Sequence, residues 1–357
     1  MKKTRVLIVD DSALMRQVLT ELLAGDPDIE VIGHAPDPYF AREKIKSLNP
    51  DVLTLDVEMP RMDGLTFLSK LMAGRPMPVV MVSSLTEVSC ETTLKALELG
   101  AVDFFTKPKL DMRAGMEEQA QELIAKVKAA AQARVRSSFV KREAAGSETR
   151  CASRDTLHLA SSAMIKTTDT IVAIGASTGG TEALKELLEV LPPSMPPIII
   201  TQHMPEHFTK TFADRLNEIC KISVKEAEEG DSVLPGHALI APGSYHMTLK
   251  RSGARYSVSI NQDPPVNRHR PSVDVMFESV AHYAGANVIG VILTGMGGDG
   301  AKGMLTMKQA GAYNIAQDEA SCVVFGMPKE AIKIGGVDKI LPLEDIANHL
   351  IARLKAA

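Results

Sequence analysis

Residues 170–190, TIVAIGASTGGTEALKELLEV, comprise an apolar strand-like run, a glycine-rich turn and a segment with apolar residues at helical spacing. Strand, turn and helix in this order form the repeating unit of a parallel α/β sheet. Glycines are expected in the turn, because the chain reverses tightly there and its backbone lies open above the helix N-terminus. Ser177 lies at the sharpest point of the turn, and the turn does not require it.

Three interpretations of Ser177 compete. Residues 175–179 fit the pattern G-x-S-x-G, in which a strained turn lifts a nucleophilic hydroxyl above a sheet edge. GASTGG, residues 175–180, also differs by one residue from the dinucleotide fingerprint G-x-G-x-x-G, with Ser177 in place of the middle glycine. The third interpretation is a serine that caps a helix after a glycine-rich turn. The turn alone leaves all three open.

The composition is typical of a globular protein with two cores. The chain has 357 residues, 45% of them hydrophobic and 24% charged, and a net charge of −4, which gives no indication of a nucleic-acid partner. The first apolar run, VLIV, is too short for a signal peptide, and no run approaches the roughly 20 residues that span a bilayer. The four cysteines are scattered without a C-x-x-C pair. We expect a cytoplasmic protein without direct membrane insertion.

The first part of the chain has the pattern of a parallel sheet with helices on both faces. Between residues 4 and 125, strand-like and helix-like segments alternate five times. Acidic or hydroxyl side chains follow several of the strands, where open α/β sheets bind ligands. The predicted strands are RVLIVD, IEVIGHA, DVLTLD, PVVMVSS and VDFFTKP.

A second α/β pattern runs from Thr170 to the end of the chain. The segments IVAIGA, PPIIITQ and NVIGVILTG are nearly continuous apolar runs, as expected of buried parallel strands. HALIAPG, YHMTLKR and YSVSINQ alternate with period two, which predicts antiparallel hairpins. LEDIANHLIARLKA predicts a closing amphipathic helix.

The expected fold class is therefore α/β, with two doubly wound parallel-sheet domains joined by a linker. The segment between them is rich in Ala, Ser and Arg and carries more basic than acidic residues, which is typical of a solvated spacer. We place the first domain at residues 1–125, the basic linker at 126–168 and the second domain at 169–357.

The second domain places a serine, a histidine and an aspartate at the ends of three predicted strands. A dinucleotide site needs an acidic residue after the next strand, but that strand ends in Gln202 and His203. Asp299 lies in the glycine-rich loop after the third apolar run. Ser177, His203 and Asp299 make the set that acyl transfer requires: a nucleophile, a base for its proton and a carboxylate that orients the base.

Two features complete this hypothesis. Backbone amides at Thr178 and Met296 are candidates to bind the oxyanion, since glycines flank both. The remaining histidines lack the spacing of partners, and we interpret them as structural or surface residues. They include His237, His246, His269 and His282.

The first domain gathers three carboxylates. Asp10, Asp11 and Asp56 follow neighbouring predicted strands, and like charges this close favour a hard divalent cation such as Mg²⁺. Lys107 can bring a compensating ammonium, and Ser83 can bring a hydroxyl. A carboxylate beside a cation, a lysine and a hydroxyl could accept a phosphoryl group.

These residues together resemble the receiver domain of two-component response regulators, a flavodoxin-like fold. The matching motifs are VDDS at residues 9–12, DVEMPRMDG at 56–64, Ser83 and Lys107 with Pro108. The resemblance implies that Asp56 is the phosphoacceptor and that Asp10 and Asp11, with the backbone carbonyl of Glu58, bind Mg²⁺. It further implies that Ser83 and Lys107 contact the phosphate and that Phe104 is the aromatic switch residue.

The second domain is similar to the chemotaxis receptor glutamate methylesterases, whose fold is Rossmann-like. The matching motifs are GASTGG, QHMP at 202–205, APG at 241–243 and TGMGGDG at 294–300. The resemblance implies that Ser177, His203 and Asp299 form the triad, without a cofactor for hydrolysis, and that the amide of Met296 helps to bind the oxyanion.

The combined resemblance implies a function and its control. The expected activity is hydrolysis of glutamate methyl esters on methyl-accepting chemotaxis receptors with release of methanol; some members of the family also deamidate glutamines. The unphosphorylated receiver is expected to cover the active site, and a chemotaxis histidine kinase is the expected phosphodonor. The alternatives are a response regulator whose output domain only binds DNA or a protein, or one that binds a nucleotide.

Overall fold

A computed structural model of the chain describes residues 3–108, 116–135 and 170–356. The N-terminal unit is a five-stranded sheet in the order β2-β1-β3-β4-β5, with parallel pairing throughout. This is the flavodoxin-like order, and it confirms the predicted fold. The strands are β1 (Thr4–Val9), β2 (Ile29–Ala35), β3 (Val52–Asp56), β4 (Val79–Ser83) and β5 (Asp103–Thr106).

Five helices cover the two faces of this sheet. The first four begin at a polar residue, Ser12, Asp37, Asp63 or Thr86, whose side chain accepts a hydrogen bond from a backbone amide in the first turn. Such caps stabilise a helix by about 1 kcal/mol each. The helices are α1 (Ala13–Ala24), α2 (Pro38–Leu48), α3 (Gly64–Gly74), α4 (Glu87–Glu98) and α5 (Met116–Gln132).

The last helix of this unit extends into the segment that we assigned to the linker. α5 continues to Gln132 and buries Val127 and Ala130 against the N-terminal core. Residues 136–168 of the predicted linker lie outside the described residues.

The C-terminal unit is a seven-stranded sheet in the order β14-β13-β12-β6-β7-β9-β8, again with parallel pairing. The chain leaves β6 on one side for β7 and returns to its other side at β12, which makes the edge above β6 a topological switch point. The strands are β6 (Ile171–Ala176), β7 (Ile198–Gln202), β8 (Ser223–Glu226), β9 (His237–Ile240), β12 (Val288–Ile292), β13 (Tyr313–Gln317) and β14 (Lys339–Leu341).

A separate antiparallel pair and six α-helices complete this unit. β10 (His246–Ser252) and β11 (Arg255–Asn261) form the predicted hairpin. The predicted closing helix is present as α11. The helices are α6 (Gly180–Glu189), α7 (Phe208–Ile219), α8 (Val273–Ala284), α9 (Ala301–Gln309), α10 (Met327–Lys333) and α11 (Leu343–Ala356).

One predicted hairpin strand is wrong. β9 pairs in parallel with β7 and β8 and lies inside the main sheet. Ala238, Leu239 and Ile240 are buried in succession, because helices or loops cover both faces of a parallel sheet. The short strands β8, β13 and β14 were not predicted. Within the described residues, no helix is both long and apolar enough to span a membrane.

Candidate active site

Ser177 stands on the turn between β6 and α6. Its amide donates to the carbonyl of Thr294 at 3.0 Å, and its carbonyl accepts from the amide of Gly180 at 2.7 Å. Gly179 has φ +76°, and a Cβ atom there would lie 2.6 Å from Cβ of Val323. A glycine is therefore required beside the serine, and the tight turn holds Ser177 at the switch point.

His203 follows the neighbouring strand at the same level. Ala176 pairs with Gln202, and the amide of His203 donates to the carbonyl of Ala176 at 3.2 Å. Ser177 and His203 are thus the next residues after a pair on adjacent strands. No hydrogen bond joins the two side chains, although such contacts often tighten only when substrate binds.

The imidazole of His203 contacts the carboxylate of Asp299. Nε2 lies 2.8 Å from Oδ2 of Asp299, whereas Nδ1 is buried and has no hydrogen-bond partner among the described residues. In the serine-protease template Nδ1 faces the carboxylate and Nε2 faces the serine. Here the assignment is reversed, which leaves Nδ1 as the ring nitrogen available to Ser177.

Asp299 is the most strongly held of the three residues. Besides His203, its carboxylate accepts hydrogen bonds from the side chains of Asn267 and Ser272 and from the amides of Val273 and Asp274, at 2.7 to 3.2 Å. The two amides lie at the N-terminus of α8, where a negative charge is favoured. Burial by itself raises the pKa of Asp299, but the hydrogen bonds outweigh it and hold the pKa well below its usual range. The carboxylate stays ionised.

The sequence did not predict that the loop before α8 contacts His203 and Asp299. Asn267 donates to both Asp299 and Asp274, and His269 stacks on His203 with ring centroids 3.7 Å apart. The sequence predicts only a structural or surface role for His269. Only Ser272, in the N-cap position of α8, carries a sequence signal, since serine before a helix is a common cap.

The amides predicted to bind an oxyanion are free. Those of Thr178 and Met296 donate no hydrogen bond within the described part of the chain. Thr178 follows the serine, and Gly295 before Met296 is held by its amide, which donates to the carbonyl of Val324 at 3.1 Å. Two unpaired donors beside a nucleophile are what a developing oxyanion needs.

The acidic cluster of the N-terminal unit lies at the corresponding edge of the other sheet. Carboxylate oxygens of Asp10, Asp11 and Asp56 lie within 4.8 Å of one another. Nζ of Lys107 is 2.8 Å from Oδ2 of Asp56 and 3.6 Å from Oδ2 of Asp10. Burial raises the pKa of Asp56 to about 6, and the hydrogen bond from Lys107 opposes this rise.

This cluster fits a hard cation. Oδ2 of Asp10 is buried and accepts no hydrogen bond among the described residues. Burial also raises the pKa of this carboxyl. An oxygen in this state, beside two further carboxylates, suits Mg²⁺. Among the described residues, no contact tests the role predicted for the backbone carbonyl of Glu58 as a further ligand.

Ser83 and Phe104 have different surroundings. Ser83 is buried at the end of β4 and accepts a hydrogen bond from Thr93 at 2.7 Å, while its carbonyl accepts from the amide of Lys107. Phe104, on β5, stacks on Phe208 with ring centroids 4.3 Å apart. Phe208 is the first residue of α7, so the predicted switch residue contacts the C-terminal unit.

The N-terminal unit packs directly beside the Ser177 turn. The hydroxyl of Thr178 donates to the carboxylate of Asp103 at the start of β5. Glu98, at the end of α4, bonds Lys185 of α6 at 2.7 Å and also Arg215 of α7. The residue after the candidate nucleophile therefore contacts β5, and the helices α6 and α7 contact α4.

Comparisons with known proteins agree with both halves of this description. Residues 172–350 match the family model described as CheB methylesterase, and residues 6–126 match the response regulator receiver domain. The crystal structure of the Thermotoga maritima CheB methylesterase catalytic domain is similar at 42% identity, with a TM-score of 0.51. It covers 52% of this chain and 98% of that one.

Full-length relatives are similar over the whole chain. A protein of Nitrosomonas europaea is 59% identical over 100% of this chain and 98% of its own length. One of Salmonella typhimurium is 58% identical with the same coverage. Both carry the name protein-glutamate methylesterase/protein-glutamine glutaminase.

Proposed function

The chain belongs to the CheB methylesterase family, and we propose how its residues perform and control the family's reaction. The protein is a response regulator with a hydrolase output: a protein-glutamate methylesterase and protein-glutamine glutaminase. Full-length relatives of this name favour a hydrolase over an output that only binds DNA, protein or a nucleotide. We assign the receiver to residues 1–125 together with the rest of α5, which packs on its core, and the hydrolase to 169–357.

Ser177 is the proposed nucleophile. Its hydroxyl oxygen attacks the ester carbonyl while Nδ1 of His203 takes the proton. The His203 imidazolium then gives this proton to the leaving methoxide, so methanol departs and an acyl-enzyme remains. Water, activated by the same imidazole, releases the glutamate carboxylate. With a glutamine side chain the leaving group is ammonia.

Asp299, Thr178 and Met296 support each step. The ionised Asp299 holds the His203 ring and stabilises its positive charge. The amides of Thr178 and Met296 donate to the oxyanion of each tetrahedral intermediate. The observation that carries the proposal is the 2.8 Å contact between His203 and Asp299. His203 directly follows β7, the strand that pairs with the one before Ser177.

The receiver supplies the proposed control. Asp56 accepts the phosphoryl group, and Lys107 and Ser83 contact it. Mg²⁺, held by Asp10, Asp11, Asp56 and the carbonyl of Glu58, would neutralise charge on the phosphoryl oxygens. We infer that a chemotaxis histidine kinase is the donor, that methyl-accepting receptors are the substrates and that the protein acts in the cytoplasm, with no nucleic-acid partner.

Methanol release from membranes with methylated chemoreceptors tests the function. We expect the wild type to release methanol and Ser177→Ala to lose at least roughly 10³-fold in kcat, as removal of a triad nucleophile does. Ser223→Ala changes an exposed serine at the start of β8 and should match the wild type. A wild type without methanol release, or a fully active Ser177→Ala, would contradict the proposal.

A further inference from the structure

A second histidine covers one face of the catalytic imidazole. The rings of His203 and His269 stack with centroids 3.7 Å apart and planes only 11° from parallel. The side chain of His203 is 7% exposed. One edge of its ring bonds Asp299, and His269 packs flat against one face of the same ring.

The loop that carries His269 is fixed by the triad itself. Asn267, two residues earlier, donates to Asp299 at 2.7 Å, and Ser272, three residues later, donates to the same carboxylate at 2.8 Å. The amide of Ser272 also donates to the buried His246 at 3.2 Å. His269 thus lies between two residues that are hydrogen-bonded to Asp299, the carboxylate that also contacts His203.

The imidazole of His269 is uncharged at neutral pH. Burial first, and then His203, lower the pKa of His269 to about 3. Among the other titratable groups that act on this pKa, Asp299 raises it, whereas His203, Lys126 of α5 and Arg268 of its own loop lower it. A neutral aromatic ring can stabilise a cation on its face, whereas a charged one would repel it.

We propose that His269 is a positioning residue for the esterase reaction: its flat ring fixes the plane of the His203 imidazole, with Nε2 toward Asp299 and Nδ1 toward Ser177, and its face stabilises the imidazolium. A single bond to Asp299 leaves the imidazole free to rock about that bond. Contact over a whole face removes this motion, and a general base that is aligned before substrate arrives lowers the barrier. The inference rests on the proposed function.

Three substitutions at position 269 separate a flat ring from bulk and from a ring nitrogen. His269→Phe keeps a planar ring without nitrogen, His269→Leu keeps volume without planarity, and His269→Ala removes both. In methanol release we expect His269→Phe within about threefold of wild-type kcat, and His269→Leu and His269→Ala lower by about tenfold or more, with KM within about twofold. His237→Ala, an exposed histidine of β9, should match the wild type.

A fluorophosphonate gives a second readout that needs no receptor. Ser177 Oγ bonds phosphorus, fluoride leaves, and the hydroxyl proton passes to His203. The labelling rate of the full-length protein should fall in the same order, with the phenylalanine variant near the wild type and the leucine and alanine variants about tenfold slower. Because labelling is counted per folded molecule, loss of folded protein does not imitate the effect.

Each outcome supports or overturns the positioning role of His269. Equal labelling rates in all four proteins would overturn the positioning role, and so would a leucine variant as fast as the phenylalanine one, since volume would then suffice. A phenylalanine variant as slow as alanine would show that a ring nitrogen is needed, and a raised KM would make His269 a substrate contact; both overturn the proposal. Absence of methanol release by the wild type would instead refute the proposed function, and the labelling rates would still decide the role of His269.

Discussion

Asp299 shows how a buried charge can be kept at the proposed catalytic site. Five donors converge on one carboxylate, and two of them are amides at the start of α8. Hydrogen bonds to a charged group contribute about 1.5–3 kcal/mol each when the alternative is an unsatisfied buried group. The ionised state of Asp299 is therefore built into the fold of the C-terminal unit.

Replacing this carboxylate by its amide should be severe. In Asp299→Asn the new NH₂ group faces donors and only one oxygen accepts, so His203 loses its orientation. We expect kcat for methanol release to fall by on the order of 10³–10⁴-fold, with a lower melting temperature. The control is Asp345→Asn, an exposed aspartate at the start of α11. A kcat within about tenfold of wild type would contradict this role of Asp299.

The raised pKa of Asp56 predicts that the stability of the native state falls as pH rises. Burial raises its pKa from 3.8 to about 6, so the native state holds a proton that the unfolded chain has released. The native state is thus favoured below about pH 4, and this advantage is lost as pH rises to about 6. In EDTA we expect Asp56→Asn to be more stable than wild type at pH 7 by on the order of 1–2 kcal/mol, and equal at pH 4.

Chemical denaturation at both pH values measures this difference. The control for loss of an aspartate outside the acidic cluster is again Asp345→Asn, at the exposed start of α11. Added Mg²⁺ should stabilise the wild type, because a cation that binds only the native state raises its stability. A variant that is less stable than wild type at pH 7 would be the contrary result.

How far the site could be read from the sequence depended on the kind of contact. Ser177, His203 and Asp299 follow apolar strands, and parallel strands bring their ends to one edge, so their proximity could be predicted. Asn267 and His269 reach the site from an irregular loop between the hairpin and α8. The packing of these two elements determines where the loop lies. No periodicity or turn motif marks such residues, so they required coordinates.

At the scale of elements, the side chain of Glu98 links α4 to two helices of the C-terminal unit. Glu98 lies at the end of α4 and bonds Lys185 of α6 and Arg215 of α7. These groups are partly exposed, so solvent screens each ion pair and its contribution is modest. The stacked pair Phe104 and Phe208 adds apolar contact between β5 and α7.

Loosening this contact should raise activity without phosphorylation. In Glu98→Gln the charge is lost while the shape is kept, so the contact between receiver and hydrolase weakens by about 1 kcal/mol. We expect basal methanol release to rise by about two- to fivefold. Glu91→Gln, an exposed position on the same helix, should leave it unchanged. Reduced or unchanged release by Glu98→Gln would show that α4 does not restrain the hydrolase.

The elements themselves were predicted where hydrophobic pattern decides. All five receiver strands and the central strands β6, β7 and β12 appear as expected. β9 was misread because its alternation in sequence is overridden by burial of both faces. β8 and β14 have only four and three residues, too few for a period to show, and neighbouring strands rather than their own pattern define them.

At the scale of the whole molecule, the receiver lies where it can restrict the reaction. Asp103 accepts a hydrogen bond from Thr178, whose amide is a proposed oxyanion donor, and Phe104 packs on the first residue of the helix that follows His203. Both contacts come from β5, and Lys107, which pairs with Asp56, lies just after it. The proposed phosphorylation of Asp56 would therefore act close to residues of β5 that contact the hydrolase.

Removal of the receiver should release this restriction. A fragment of residues 169–357 corresponds to the catalytic domain that was solved alone for the Thermotoga maritima relative. We expect its methanol release to exceed that of the unphosphorylated full chain by several-fold, since only a small population shift is needed to uncover the site. A correctly folded fragment with equal or lower turnover would exclude inhibition by the receiver.

The most direct test of the catalytic assignment is to identify the residue that an active-site reagent modifies. The full-length wild type and His203→Ala are treated with a fluorophosphonate, and mass spectrometry locates and quantifies the adduct. We predict a single adduct on Ser177 in the wild type, formed at least about 10²-fold more slowly in His203→Ala. An adduct on another residue, or equal rates on Ser177 in both proteins, would contradict the proposed catalytic site.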